Sequence, residues 1–255
     1  MGLALVIAGC STGGGGTTPP ATGTIPAPTA TVLGPTSTTP GPTATPAAPC
    51  PTPSVTAPSV FSVPGDFAEL DETTYWVDPD FDTCTPLRAL VTIPAPGWLA
   101  WTGTFKDDEE GGHVGISIVT VTNLVVDGCS NHGLAVPPVG PSVDDLATAL
   151  AELMPFVVTS PPRDVRLDGY DGKYLEVQLP ETTDLGTCVN GEVISWDAAV
   201  LSYPFHGYFV GLIEEFWILD VEGSRLAIIA NRSPDSPRAD VAEMRAILDS
   251  IEIEP

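Results

Sequence analysis

The sequence has 255 residues, with 33 Asp and Glu against 9 Lys and Arg, and every one of these charges lies at or beyond Asp66. The net charge of −24 argues against nucleic acid, which is bound through Lys and Arg that displace condensed counterions, and against docking of the charged part on an anionic lipid surface. The last 190 residues suffice for one domain and hold all five Trp and all five Tyr, and no run of 18 apolar residues marks a transmembrane helix.

At the N-terminus, Leu3 to Gly9 form a short apolar stretch that passes through small residues into Cys10. Ile7-Ala8-Gly9-Cys10 resembles the lipobox of bacterial lipoproteins. The resemblance implies cleavage before Cys10 and acylation of that cysteine. The chain would then be anchored in the lipid bilayer, at the outer face of the bacterial cell membrane. Only nine residues precede Cys10 and none is Lys or Arg, whereas a signal peptide has a basic n-region and an apolar core of about 7–15 residues. Residues 1–10 are therefore read as the end of such a signal, from a start placed too late or from a shortened chain. Several acyl chains would hold firmly, since each buried methylene contributes about 0.8 kcal/mol.

In residues 11–64, Pro, Thr, Gly, Ala and Ser fill 46 of 54 positions. Such a composition cannot bury enough apolar surface to offset the entropy of ordering, so this segment is expected to be a disordered tether. Gly13 to Gly16 begin it as a hinge, and at about 3.1 Å per residue the Pro-rich remainder reaches on the order of 100 Å. One domain is expected over residues 65–255.

With Cys10 acylated, Cys50, Cys84, Cys129 and Cys188 remain, and export makes disulfides the default for them. Three pairings are possible. The sequential one, Cys50–Cys84 with Cys129–Cys188, is preferred: the first bond pins the end of the tether, and the second joins a strand end to a distant loop.

Within the domain, Tyr75-Trp76-Val77, Leu87 to Ile93 and the segment from Trp98 to Phe105 read as strands rich in β-formers. Lys106 to Gly112 is a hairpin connection into the clearest strand, Val114 to Val126. Ser142 as N-cap with Asp145 three residues on opens a helix whose apolar stripe is Val143, Leu146, Ala149, Leu150 and Leu153, closed by Pro155. Phe156 to Thr159 and Val165 to Leu167 are short strands, and a turn carrying Asp168-Gly169 and Asp171-Gly172 precedes the strand Lys173 to Leu179. Phe216 to Val221 and Arg225 to Ala230 form an almost wholly apolar hairpin across Glu222-Gly223, expected to be central. A second helix starts at Ser236-Pro237 with the stripe Val241, Met244, Leu248 and Ile251, and Ile251 to Glu254 is a final strand. The pattern predicts an α+β fold: an antiparallel sheet with two amphipathic helices.

Val91-Thr92-Ile93-Pro94-Ala95-Pro96-Gly97-Trp98, the hairpin Asp168 to Tyr174 and the final helix into Ser250-Ile251 together resemble PsbP-like proteins. Val139 to Leu146 and Trp217 to Val221 are similar to segments of exported bacterial lipoprotein ectodomains. The resemblance spans residues 85–255. It implies fold and location, and no catalytic residue comes with it.

Candidate chemistry is sparse. Asp78, Asp80 and Asp82 alternate like the first ligands of a calcium loop, but the sixth and twelfth positions hold Thr83 and Ala89 in place of Gly and Glu, so the EF-hand is rejected and only a looser metal site is left open. Asp107-Asp108-Glu109-Glu110 reads as a solvated hairpin tip. Cys129-Ser130-Asn131-His132 has the spacing of a zinc half-site that Cys188 and His206 could complete, but disulfide use of the cysteines is favoured. No nucleophile elbow or phosphate-binding Gly loop occurs, so neither an enzyme nor a cofactor is expected. The remaining candidate is an aromatic run, Tyr203, Phe205, His206, Tyr208 and Phe209, as a recognition surface. The expected role is binding or scaffolding at the cell envelope, with an envelope protein or small ligand as partner. The alternatives are a small-molecule or calcium-binding lipoprotein, and an envelope hydrolase, which a pocket holding a His with a carboxylate would favour.

Overall fold

The central position expected for the hairpin Phe216 to Ala230 has a physical cause in the computed structural model, where both of its faces are covered. The structure describes residues 57–64, 67–80, 86–109, 111–198 and 209–255. In chain order the strands and helices are β1 (Thr74–Val77), β2 (Arg88–Thr92), β3 (Leu99–Ala100), β4 (Gly103–Asp107), β5 (His113–Val119), β6 (Val121–Asp127), β7 (Asn131–Leu134), α1 (Val143–Glu152), β8 (Val157–Leu167), β9 (Tyr170–Gln178), β10 (Trp196–Ala198), β11 (Ile213–Val221), β12 (Ser224–Arg232), α2 (Arg238–Asp249) and β13 (Glu252–Glu254). Among the described residues no helix is long and apolar enough to cross a membrane.

The largest sheet has seven antiparallel strands in the order β3-β4-β5-β12-β11-β9-β8. Successive residues of β12 alternate between two cores: Ala227 and Ile229 pack with α1 and β6, while Leu226, Ile228 and Ala230 pack with α2 and β2. In β11, Phe216 and Ile218 face the first core and Leu219 and Val221 the second. A strand covered on both faces reads as a continuous apolar run. The turn at Glu222-Gly223 has φ of 52° and 88°, as a tight hairpin of right-handed strands requires.

The fold is α+β with two helices, as the sequence predicts, but its strands make three sheets and not one. The run Val114 to Val126 breaks at Thr120, whose N–H donates to the Pro79 carbonyl at 2.9 Å. β5 stays in the central sheet, while β6 leaves to form the sheet β10-β6-β7 over the first core. A third sheet, β1-β2-β13, lies over the second core. The two short strands expected between Phe156 and Leu167 are one bulged strand, β8, and Asp171-Gly172 lies within β9, leaving Asp168-Gly169 alone as the turn. Residues 57–64, assigned from sequence to the tether, belong to the domain: Val60 is fully buried in the second core and Ser59 bridges to Trp76. Val60, Phe61 and Val63 among prolines are too short an apolar group to mark that boundary from sequence.

α1 carries the expected capping box: the Asp145 N–H donates to the Ser142 hydroxyl, and the Ser142 N–H donates to the Asp145 carboxylate, each at 3.1 Å. Ser142→Ala is expected to cost about 1 kcal/mol, a fall in Tm of roughly 2–4 °C for a domain of this size. Thermal unfolding followed by circular dichroism reads it, and an unchanged Tm would show the helix start to be held by tertiary contacts alone.

Candidate functional site

The β4–β5 hairpin places Asp107 opposite His113, Phe105 opposite Gly115 and Gly103 opposite Ser117. Asn231 of β12 stands opposite Gly115, and Leu99 of β3 opposite Phe105. Cross-strand partners share a face of the sheet, so these side chains lie on the face that α1 covers farther along. At this end they line a cleft of about 480 Å³ together with Phe67 and Trp101.

One wall of the cleft is aromatic. The Phe67 ring lies 5.3 Å from Trp101 and 5.6 Å from Phe105, and Phe105 stacks on the His113 imidazole at 6.1 Å. Phe67 is 52% exposed and has φ of 54°, a backbone conformation that costs a bulky residue on the order of 1–3 kcal/mol. Gly115 leaves the floor open, since a Cβ there would sit 2.7 Å from Asn231 Oδ1 and 3.2 Å from His113 Nε2.

The polar end is built around His113. Its Nδ1 lies 2.5 Å from Asp107 Oδ1 and its Nε2 lies 2.9 Å from Asn231 Oδ1. Its backbone is fixed from the far side, the N–H donating to the Ser233 hydroxyl at 2.9 Å and the carbonyl accepting from the Ser236 hydroxyl at 2.6 Å. With both ring nitrogens engaged, the imidazole is held in one orientation. Ser117 also lines the cleft, but it lies four residues along β5, about 13 Å at strand rise. Its hydroxyl accepts from Thr102 Oγ1 at 2.9 Å. The His with a carboxylate is therefore present in a pocket, and among the described residues no nucleophile stands beside it.

Lys106 is turned to the opposite face, where it pairs with Asp240 at 2.8 Å and Glu243 at 2.9 Å on α2. On that face too, Glu215 accepts from Arg245 and from the Tyr174 hydroxyl, and burial pushes the Tyr174 phenol up to about 12. This network ties α2 to the sheet and stands apart from the cleft.

The residues singled out from sequence fall in several places. Cys129 and Cys188 form a disulfide, as preferred, so neither thiolate is available to zinc; His132 Nε2 instead lies 2.9 Å from the Gly128 carbonyl. Cys10, Cys50, Cys84, Asp82, Tyr203, Phe205, His206 and Tyr208 lie outside the described residues. Phe209 is described, and its ring meets His113 edge-on at 5.6 Å, which brings the end of the aromatic run to the cleft. Asp78 is no solvated loop residue: it is 3% exposed and faces the Arg88 guanidinium at 3.6 Å. Among the described residues no group of three or more His, Cys, Asp or Glu could hold a metal. The sequence reading passed over Asp107, His113 and Asn231 as a set. Symmetric closure over Lys106 to Gly112 would set Phe105 against His113, whereas the observed register is shifted and sets Asp107 there, so the pair carried no sequence signal.

Comparison with protein-family models and with curated proteins returns no match for this chain, so fold and cleft carry the functional argument.

Proposed function

We propose that this chain is a lipid-anchored binding module of the bacterial cell envelope, held through acylated Cys10, set off from the membrane by its Pro/Thr-rich segment, and binding a small molecule in the cleft. The observation that carries the binding role is the cleft itself: an exposed phenyl ring kept in a strained backbone against Trp101 and Phe105, above a floor left open by glycine. Strain of this kind persists where it serves a site. The location is supported by the Cys129–Cys188 disulfide, a bond of oxidising compartments, and by the lipobox-like Ile7 to Cys10. The resemblance to PsbP-like lipoprotein ectodomains agrees with both halves and adds no catalytic residue.

Expressed in a bacterium behind an added basic n-region, the full chain is expected to incorporate radiolabelled palmitate and to sediment with membranes. Cys10→Ala is expected to do neither. A membrane-bound Cys10→Ala protein, or an unlabelled parent, would remove the anchor from the proposal.

The Asp107–His113 pair favours a second reading, a hydrolase of envelope material in which His113 Nε2, released from Asn231 when substrate enters, takes a proton from water. Turnover of p-nitrophenyl esters that His113→Ala abolishes would establish it. Turnover unaffected by that substitution would exclude His113 as its base.

A further inference from the structure

We propose that the cleft takes a small molecule with a flat, apolar body and a primary ammonium group, the body lying on the aromatic wall and the ammonium at Asp107. The inference rests on the cleft being the binding site, and it names the class of ligand.

The wall sets the body. Phe67 touches both Trp101 and Phe105, with centroids 5.3 and 5.6 Å apart, so the three rings leave no gap in which a cation could be caged. They present a continuous apolar surface, against which an aromatic or similarly flat body buries area at about 25 cal/mol per Å². Such a body fits within about 480 Å³, and the missing side chain at Gly115 lets its inner edge approach the sheet.

The polar groups set the head. Asp107 is the one carboxylate among the described lining residues, and none of those residues is Lys or Arg. His113 holds Asp107 Oδ1, and the 55% exposed side chain offers its other oxygen to a donor on the ligand. The surroundings share that sign. Asp108 and Glu109 follow Asp107 at the hairpin tip. The nearest cation along the chain, Lys106, is spent on Asp240 and Glu243 across the sheet. A carboxylate or phosphate ligand would enter against this field and meet no Lys or Arg among the described lining residues, whereas an ammonium is drawn in and paired.

Tryptophan fluorescence of the full chain at pH 7.5 tests this with three probes of nearly equal shape: 2-phenylethylamine, 2-phenylethanol and 3-phenylpropionate. The amine is expected to bind about fivefold more tightly than the alcohol, the weight of one partly screened ion pair, and the carboxylate most weakly. Asp107→Asn is expected to bring the amine to the affinity of the alcohol. Phe67→Gly relieves the backbone strain, so it is expected to fold at least as stably as the parent while weakening the amine and the alcohol about tenfold, as removal of an aromatic anchor does. Equal affinity for all three probes, or a preference that survives Asp107→Asn, would overturn the ammonium assignment and leave the binding site standing. Unchanged affinities in Phe67→Gly, or no response to any probe, would overturn the site along with the assignment.

Discussion

Replacing both Cys129 and Cys188 by Ser is expected to lower the stability of the domain by about 4 kcal/mol. The disulfide closes a loop with a sequence separation of 59 residues, and the chain-entropy relation for such a loop gives a cost near that value. The loop contains α1, β8 and β9, so the bond holds together parts of the first core that are far apart in sequence. Cys188 is itself 7% exposed in that core, and the Val189 N–H donates to the Cys129 carbonyl at 2.8 Å. The double replacement therefore keeps the local contact while freeing the unfolded chain. Urea denaturation read by Trp fluorescence measures the effect. A loss below about 1 kcal/mol would mean that the unfolded chain is already constrained between these two points.

Arg88→Leu is expected to cost about 3–5 kcal/mol at pH 8, the range found when one member of a buried ion pair is removed, and distinctly less at pH 5. Arg88 and Asp78 are each 3% exposed, and the guanidinium lies over the Trp76 ring at 5.1 Å and donates to the Leu87 carbonyl at 2.6 Å. Burial pushes the Asp78 carboxyl up to about 6, its hydrogen bond with Asp80 pushes in the same direction, and Arg88 opposes them. In the folded protein Asp78 thus binds its proton more tightly than in the unfolded chain. As pH rises from about 4 to 6 the unfolded chain loses that proton first, so this group's contribution to stability falls across the window. Without Arg88 the carboxyl rises further and the folded variant takes up a proton at higher pH, which relieves the buried charge in acid. Urea denaturation at the two pH values measures the difference, and an equal loss at both would show that Asp78 is not ionised against Arg88. The pair Asp78→Leu with Arg88→Leu is expected to recover much of the stability, since an apolar pair of similar volume needs no compensation.

The disulfide was legible in the sequence and the Asp78–Arg88 pair was not. Ser142 and Asp145 were legible because a capping box is a local pattern, and Glu222-Gly223 because a two-residue turn between apolar runs has few alternatives. The break at Thr120 was not, because β5 and β6 are both covered by other parts of the chain and no change of period separates them. Asp78 resembled its neighbours Asp80 and Asp82, and what removes it from water is Arg88 on the paired strand β2. The cleft was legible only in part. The hairpin was visible and its acidic tip was visible, but Asn231 and Phe67 arrive from distant segments, and the value of Gly115 lies in what is absent from it.

The edges of the central sheet bear on how copies of this domain meet. One edge, β3, offers two residues, and the other, β8, carries Pro161 and Pro162 beside Arg163, Asp164 and Arg166. Proline has no N–H to give to an incoming strand, and the charges would have to be desolvated for one to dock. Anchored proteins are confined to two dimensions and collide with their own kind far more often than the same number free in solution. Where the central sheet ends on such strands it resists extension by a neighbouring copy, so crowding on a membrane, if the chain is anchored as proposed, would not carry the domains into fibrils through these edges.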